Sequence, residues 1–130
     1  GILYDQRAVA AYQSTRQESD HTHYRTVMPM WDNTARRQLD GTTFLNARPD
    51  VFRAWLRETM LRARDRLPPG QRLVFVNAWN EWAEGAYLEP DEANGLAFLE
   101  AARDARYVAK SSSRLADRAA ALSAQAAGDA

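Results

Sequence analysis

The 130-residue chain has no cysteine, no net charge and no long apolar run. Without cysteine it can form neither a disulfide framework nor a thiolate metal site. Its 17 basic residues balance 17 acidic ones, which argues against a nucleic-acid-binding arm or a polybasic membrane segment. No run approaches the roughly 18 apolar residues of a membrane span, and no signal peptide is visible. An apolar content of 45% instead indicates a globular domain with a small soluble partner.

Four segments have the pattern of regular secondary structure. The Ala-rich run Asp5–Gln13 predicts a short helix, and Thr26–Trp31 predicts a strand that is broken at Pro29. Apolar residues recur at the i, i+3, i+4 spacing in Pro49–Leu67, which predicts an amphipathic helix. The uninterrupted apolar middle of Arg72–Ala78 predicts a strand covered on both faces. The order strand, helix, strand indicates an α/β fold with a parallel sheet.

The C-terminal part of the chain is predicted to be helical. We expect a helix over Asn94–Val108 with Leu96, Leu99 and Ala102 facing inward. Residues 110–130 are rich in serine and alanine and carry few large apolar side chains, so we expect a loosely docked helix there. The chain therefore divides into a domain over residues 1–109 and a tail over residues 110–130.

Two long connections follow the predicted strands, one between Trp31 and Pro49 and one between Ala78 and Asn94. Both are longer than the typical connection of about 6 residues. In a parallel α/β architecture the connections after the strands lie at one end of the sheet, where such folds place their sites. We therefore expect the functional residues in these two connections.

The second connection holds five carboxylates and no basic residue between positions 81 and 92, namely Glu81, Glu84, Glu89, Asp91 and Glu92. Crowded carboxylates raise one another's pKa, so that one can donate a proton while another stays ionised, as glycosyl chemistry requires. The spacing of Glu81 and Glu84 would put both on one side of a helical turn. Carboxyl groups about 5 to 5.5 Å apart are typical of retaining glycosidases. The alternative is a Glu-x-x-Glu pair on a solvated helix face.

Aromatic and polar side chains accompany these carboxylates. Trp79 and Trp82 bracket Glu81, and each could be a platform for a sugar ring or a core residue. In the first connection Asp32, Asn33 and Arg36 could hydrogen-bond sugar hydroxyls or an anionic group. The alternative for them is an Asx turn with surface arginines.

No metal or cofactor site is predicted. His21 and His23 are the only histidines, and they lie in the connection into the first predicted strand, where a solvated loop role is favoured over metal binding. The sequence has no Gly-rich phosphate cradle, no Gly-x-Ser-x-Gly elbow and no set of metal ligands.

The blocks Trp31–Arg37 and Leu73–Asp91 strongly resemble the C-terminal part of WbsX-type proteins. These bacterial proteins of surface-polysaccharide biosynthesis are described as glycosyltransferases and are related to glycoside hydrolase family 99. The resemblance covers roughly residues 1–109. It implies a (β/α)₈ TIM barrel in which the two predicted strands are the seventh and eighth, so that the barrel is incomplete in this chain. Because the chain begins with Gly1 rather than methionine, we expect it to be a piece of a longer protein. A cytoplasmic location is favoured for that protein.

The resemblance also implies a mechanism. The two catalytic glutamates of family 99 endo-mannosidases fall on Glu81 and Glu84 of the segment Asn80–Gly85. Glu81 would deprotonate the sugar 2-hydroxyl, which attacks its own anomeric carbon to give a 1,2-anhydro intermediate. Glu84 would protonate the leaving oxygen and then activate the acceptor, which is water in hydrolysis and a sugar hydroxyl in transfer. The chain departs from the hydrolases at Ala83 and over Ala86–Leu88.

We therefore expect a carbohydrate-active enzyme that makes or cleaves glycosidic bonds with retention, in the biosynthesis of bacterial surface polysaccharide such as lipopolysaccharide O-antigen. Its partner would be a glycan or an activated sugar. The alternatives are a non-catalytic carbohydrate-binding or structural module and an inactive gene fragment. Besides the two catalytic glutamates, the residues expected to bind substrate are Trp31, Asp32, Asn33, Trp79, Asn80, Trp82 and Tyr87.

Overall fold

A computed structural model describes residues 1–17 and 19–128. The strands are β1 (Ile2–Asp5), β2 (Arg25–Val27), β3 (Thr42–Leu45), β4 (Val74–Val76), β5 (Asn80–Glu81) and β6 (Ala86–Tyr87). The helices are α1 (Gln6–Thr15), α2 (Thr34–Arg37), α3 (Pro49–Arg66) and α4 (Ala97–Gly128), with 3₁₀ turns at Gln38–Asp40 and Trp82–Glu84. The fold is therefore mixed α/β, as predicted.

The strand, helix, strand unit is confirmed. Strands β2 and β4 are parallel, with Arg25 opposite Val74 and Val27 opposite Val76. Helix α3 lies in the connection between them, after α2 and β3. It begins at Pro49, as the sequence predicts, because proline suits a first helical turn where no N–H donor is needed. The crossover helix thus brings the carboxyl ends of β2 and β4 to the same edge.

The hydrophobic core lies on the inner side of α3. Phe52, Trp55 and Leu56 are buried there, at the i, i+3, i+4 spacing of the sequence pattern. Helix α4 packs on them, and the ring centroids of Phe52 and Phe98 lie 5.9 Å apart. Burial of these aromatic side chains gives the helix pair its main stabilisation.

A second parallel strand pair was not expected. Strand β1 precedes the predicted helix α1 and pairs with β3, with Ile2 opposite Thr42 and Asp5 opposite Leu45. The expectation of one uninterrupted loop from Trp31 to Pro49 was therefore wrong, since α2 and β3 lie within it. Strands of four residues without a fully buried side chain leave little periodic signal, which explains why the sequence pattern missed both.

Both predicted strands are shorter than expected. Strand β2 ends at Val27, because Pro29 has no N–H to donate to a ladder. Strand β4 covers only Val74–Val76, and the Phe75 side chain is 53% exposed. The expectation of a strand covered on both faces was therefore wrong for the residues that the structure describes.

The last helix begins later than predicted. The chain turns between Asp91 and Gly95, whose N–H donates to the Asp91 carbonyl over 2.9 Å, so the helix starts at Ala97. The shifted start also changes its inner face, which consists of Phe98, Ala101 and Ala105.

The inner face therefore differs from the expected one. Leu96 precedes the helix and is 56% exposed, Leu99 is half-buried, and Ala102 packs against the edge of the core. Helix α4 continues past position 110 without a break, and the tail is helical as far as the structure describes it. No described helix is long and apolar enough to cross a membrane.

The described residues form three two-stranded sheets, which pair β1 with β3, β2 with β4 and β5 with β6. The first two are parallel, and β5 with β6 forms an antiparallel hairpin. Within residues 1–17 and 19–128 the strands do not close into a barrel. The described part of the chain thus contains two parallel strand pairs, and helices lie in the connections between their strands.

We expect Phe52→Ala to lower the free energy of unfolding by about 3 to 5 kcal/mol, because it removes the ring that joins α3 to α4 and leaves a cavity. The matched control is Arg53→Ala on the exposed side of the same helix, which should change it by less than about 0.5 kcal/mol. Urea unfolding followed by circular dichroism measures both. Equal effects would contradict the assignment of the core.

Candidate functional site

The segments that follow β2 and β4 are joined through their backbones. The Asp32 N–H donates to the Glu84 carbonyl over 2.9 Å. Gly85 makes this approach possible, since a Cβ on it would lie only 3.0 Å from the Asp32 nitrogen. It also has a φ of +56°, which disfavours other residues. The prediction that the two connections meet at one edge is therefore confirmed.

A side-chain contact adds to this junction. Arg36 Nη1 donates to Glu84 Oε1 over 2.8 Å, and the two side chains are 60% and 23% exposed. Arg36 belongs to α2, the short helix that was read as loop. Arg36 is thus a surface arginine, as in the alternative interpretation, and it also contacts Glu84. An exposed pair of this kind contributes less than about 1 kcal/mol to stability, so its main effect is to orient Glu84.

The carboxylate of Asp32 is held by hydroxyl and amide donors. Its Oδ1 accepts from the N–H of Thr34 over 2.9 Å, from the Thr34 hydroxyl over 2.6 Å and from the Thr43 hydroxyl over 3.2 Å. These bonds, those of Thr34 above all, lower the pKa of Asp32 below its usual value. The Asx turn that the sequence left as an alternative is therefore present, and it fixes an ionised carboxylate.

Asn33 makes two structural hydrogen bonds to the backbone of Thr42. Its Oδ1 accepts from the N–H of Thr42 over 2.7 Å, and its own N–H donates to the Thr42 carbonyl over 3.2 Å. This double contact ties the segment after β2 to the start of β3. The side chain of Asn33 thus holds the backbone of Thr42 in place.

The segment after β4 is a tight antiparallel hairpin. Asn80 lies opposite Tyr87 and Glu81 opposite Ala86, with the 3₁₀ turn Trp82–Glu84 between the strands. The expectation that Glu81 and Glu84 share a helical turn was therefore wrong. Glu81 has a φ of −83° and a ψ of 69°, which are not helical angles. The two catalytic candidates belong to a strand and to the turn that follows it.

Two aromatic rings stack on this hairpin. The rings of Trp82 and Tyr87 are 3.8 Å apart with an interplanar angle of 16°. The Trp82 Nε1–H donates to Glu89 over 2.7 Å, and the Tyr87 hydroxyl donates to Asp91 over 2.9 Å. Burial, followed by the neighbouring Asp91 carboxylate, raises the pKa of Tyr87 above its usual value.

Neither tryptophan of the hairpin fills the core. Trp79 is 53% exposed and Trp82 is 49% exposed, which leaves a face of each accessible to a ligand. The Trp79 carbonyl accepts the N–H groups of Leu88 and Glu89 over 2.9 and 3.1 Å. The backbone of Trp79 is therefore fixed while its side chain stays open to solvent.

Three of the five carboxylates of this segment have separate partners. Glu84 pairs with Arg36, Glu89 accepts from Trp82, and Asp91 accepts from Tyr87 and Asn94. The hydrogen bonds from Asn94 lower the pKa of Asp91. The expectation that crowding raises these carboxyl pKa values is thus wrong for Asp91, because Asp91 accepts hydrogen bonds from Asn94 and Tyr87.

A cleft of about 390 Å³ opens beside the junction. The predicted residues Trp31, Asp32 and Tyr87 line it. The sequence did not indicate the other lining residues as site residues. Three of them, Thr43, Phe44 and Ala47, belong to or follow the missed strand β3. The others are Met30, Thr34, Ala35 and Gly85. Six predicted residues lie outside its lining, namely Asn33, Trp79, Asn80, Glu81, Trp82 and Glu84.

The histidines lie elsewhere. His23 Nδ1 is 2.7 Å from the Ser19 hydroxyl oxygen, and His21 is exposed. Both line a cleft beside the C-terminus of α3, where the chain enters β4. Residues 1–17 and 19–128 contain no group of three or more His, Asp or Glu side chains that could hold a metal ion.

We expect Gly85→Ala to destabilise the protein by at least about 1 kcal/mol more than Gly95→Ala. Gly95 has nearly the same φ, +54°, but a Cβ there meets nothing within 4 Å. Gly95→Ala, the control, therefore introduces only backbone strain, whereas Gly85→Ala also pushes Asp32 away from the Glu84 carbonyl. Urea unfolding of the two variants measures the difference, and equal destabilisation would contradict the close approach.

We expect Asp32→Asn to be less stable than the unaltered protein at pH 7, with a difference that shrinks as the pH falls below 3.8, the usual pKa of aspartate. A lowered pKa means that the folded state favours the ionised form. Its stabilisation is therefore present above pH 3.8 and is lost as the pH falls through the folded-state pKa. Urea unfolding between pH 7 and pH 2 tests this, and a difference independent of pH would contradict it.

Comparison with known proteins gives the family. Residues 1–102 match the model of the family described as Glycosyltransferase WbsX. The chain is 45% identical over 105 residues to the uncharacterized protein WxcX of Xanthomonas campestris pv. campestris, in strain B100 and in strain ATCC 33913. These matches cover 81% of this chain and 15% of each relative. No solved structure matches the chain at a significant level. The chain belongs to the WbsX glycosyltransferase family.

Proposed function

We propose that this chain carries the catalytic edge of a retaining carbohydrate-active enzyme that acts in the biosynthesis of bacterial surface polysaccharide such as lipopolysaccharide O-antigen. The observation that carries the proposal is the junction between Glu84 and the segment after β2, through Arg36 and the Asp32 N–H. It puts the candidate acid at the carboxyl edge of two parallel strands, where α/β enzymes place their chemistry. Family membership supports carbohydrate as the substrate class.

In the proposed reaction Glu81 takes the proton of the sugar 2-hydroxyl, and the resulting oxygen attacks the anomeric carbon. The bond to the leaving oxygen breaks as that oxygen takes a proton from Glu84. In the second half, Glu84 takes the proton of the acceptor hydroxyl, whose oxygen attacks the anomeric carbon. The bond between that carbon and the 2-oxygen breaks, and the 2-oxygen recovers its proton from Glu81. Two inversions give overall retention.

The geometry around Glu84 supports its role. Arg36 holds Oε1, while Oε2 accepts no hydrogen bond from the described part of the chain. One carboxylate oxygen is thus fixed by a charged donor and the other is available to the reacting atoms. A side chain held in this way needs little reorganisation before proton transfer.

We also propose that β2 and β4 are the seventh and eighth strands of a (β/α)₈ barrel, with residues 1–109 as part of it and residues 110–130 as a tail. The parallel pairing and the α3 crossover support this. So do Leu3, Tyr4 and Phe75, exposed apolar side chains of the kind that a further layer of a barrel would cover. The chain spans 15% of the length of the curated relatives, which leaves room in them for further strands.

A non-catalytic carbohydrate-binding module is the second candidate. It is favoured by the half-exposed face of Trp82, whose ring stacks on Tyr87 and whose Nε1–H is fixed by Glu89. A rigid exposed aromatic of this kind binds the CH-rich face of a sugar without any proton transfer. Binding that survives the loss of both glutamates would be its signature.

We expect Glu84→Gln to lower turnover at least about 100-fold in the protein as its gene encodes it, because glutamine cannot transfer the proton. The matched control is Glu92→Gln, an exposed carboxylate further along the same segment, which should keep its activity. The assay follows sugar release or transfer from surface polysaccharide of the bacterium that carries the gene. NMR of the first product should show the anomeric configuration of the donor.

Undiminished turnover of Glu84→Gln would contradict the catalytic assignment, and an inverted product would contradict the 1,2-anhydro route. If the unaltered protein forms no product and glycan binding survives both Glu81→Gln and Glu84→Gln, the binding module is the correct interpretation.

A further inference from the structure

The cleft beside the junction has the composition of a sugar site, although most of its lining was not indicated by the sequence. Trp31, Phe44 and Tyr87 supply aromatic surface. Ala35 and Ala47 are small, so the space between the rings stays open. Its volume of about 390 Å³ lies within the range of small-molecule sites.

Polar groups stand at one side of this cleft. Asp32 Oδ1 is fully engaged by Thr34 and Thr43, whereas Oδ2 accepts no hydrogen bond from the described part of the chain. The Thr43 hydroxyl donates to Asp32 and keeps its lone pairs for another donor. The cleft thus offers two acceptors with fixed positions, which suit the vicinal hydroxyl groups of a sugar ring.

The charge of the lining selects among ligands. Among the described residues that line the cleft, Asp32 is the only one with a charged side chain. The nearby guanidinium of Arg36 bonds to Glu84, and neither residue belongs to the lining. An ionised carboxylate that is not paired with a cation repels phosphate and uronate groups. Aromatic walls together with hydroxyl acceptors and no basic group therefore fit a neutral ring.

We propose that this cleft is a subsite for a neutral pyranose ring, adjacent to the ring on which Glu84 acts. The inference rests on the proposed function. The position of the subsite next to Glu84 is inferred from Gly85, which lines the cleft and directly follows Glu84 in the chain. The neutral ring lies against the aromatic walls, and its hydroxyl groups donate to Asp32 Oδ2 and Thr43 Oγ1.

The test uses the protein as its gene encodes it, and isothermal titration with a set of neutral oligosaccharides built from hexoses and 6-deoxyhexoses. Ala47→Leu fills the cleft, and Thr43→Val removes the hydroxyl at nearly constant volume. We expect each to raise the Kd at least about 10-fold for the best-binding probe. The matched control is Ala54→Leu on the exposed side of α3, which should leave the Kd unchanged.

An oligosaccharide of uronic acid residues serves as the charged probe and should bind more weakly than the neutral ones. Unchanged Kd values for both Ala47→Leu and Thr43→Val, or tighter binding of the uronate probe, would overturn the subsite. Thr43→Val keeps the test decisive if Ala47→Leu fails to fold. Turnover of Glu84→Gln is measured separately. Loss of its activity with unchanged Kd values refutes only the subsite, whereas full activity with raised Kd values refutes only the catalytic proposal.

Discussion

The hydrogen bond between the Asp32 N–H and the Glu84 carbonyl is the contact on which the rest of the site depends. It joins the segment after β2 to the segment after β4, two stretches separated by a whole crossover helix. Gly85 favours it, because a Cβ at this position would lie 3.0 Å from the Asp32 nitrogen, closer than ordinary van der Waals contact. The ion pair of Arg36 with Glu84 and the cleft beside Gly85 both follow from this one approach.

The sequence predicted the part of the fold that is built from strong periodicity. Helix α3 has an apolar stripe from Phe52 to Ala63 and a proline at its start, so its bounds were predicted to within a residue. Strands β1 and β3 were missed, because each has four residues and its partner is far away in the chain. Pairing between distant short strands depends on tertiary contacts, which a local pattern does not contain.

The candidate site was predictable in its location but not in its contacts. Two long connections after parallel strands indicated one edge, and the structure brings them together there. The helical turn proposed for Glu81 and Glu84 was wrong, because the left-handed Gly85 closes a 3₁₀ turn between two short strands. The partner of Glu84 was also hidden, since Arg36 lies 48 residues away in the chain. Side-chain partners at such separations are set by the fold and not by spacing.

The most direct test of this account is the amide hydrogen exchange of Asp32, measured by NMR at neutral pH. The account predicts slow exchange of the Asp32 N–H, because the Glu84 carbonyl accepts its hydrogen bond, and faster exchange in Gly85→Ala. Exchange of the Asp32 N–H as fast as that of an unprotected amide in the unaltered protein would contradict the junction, and with it the site.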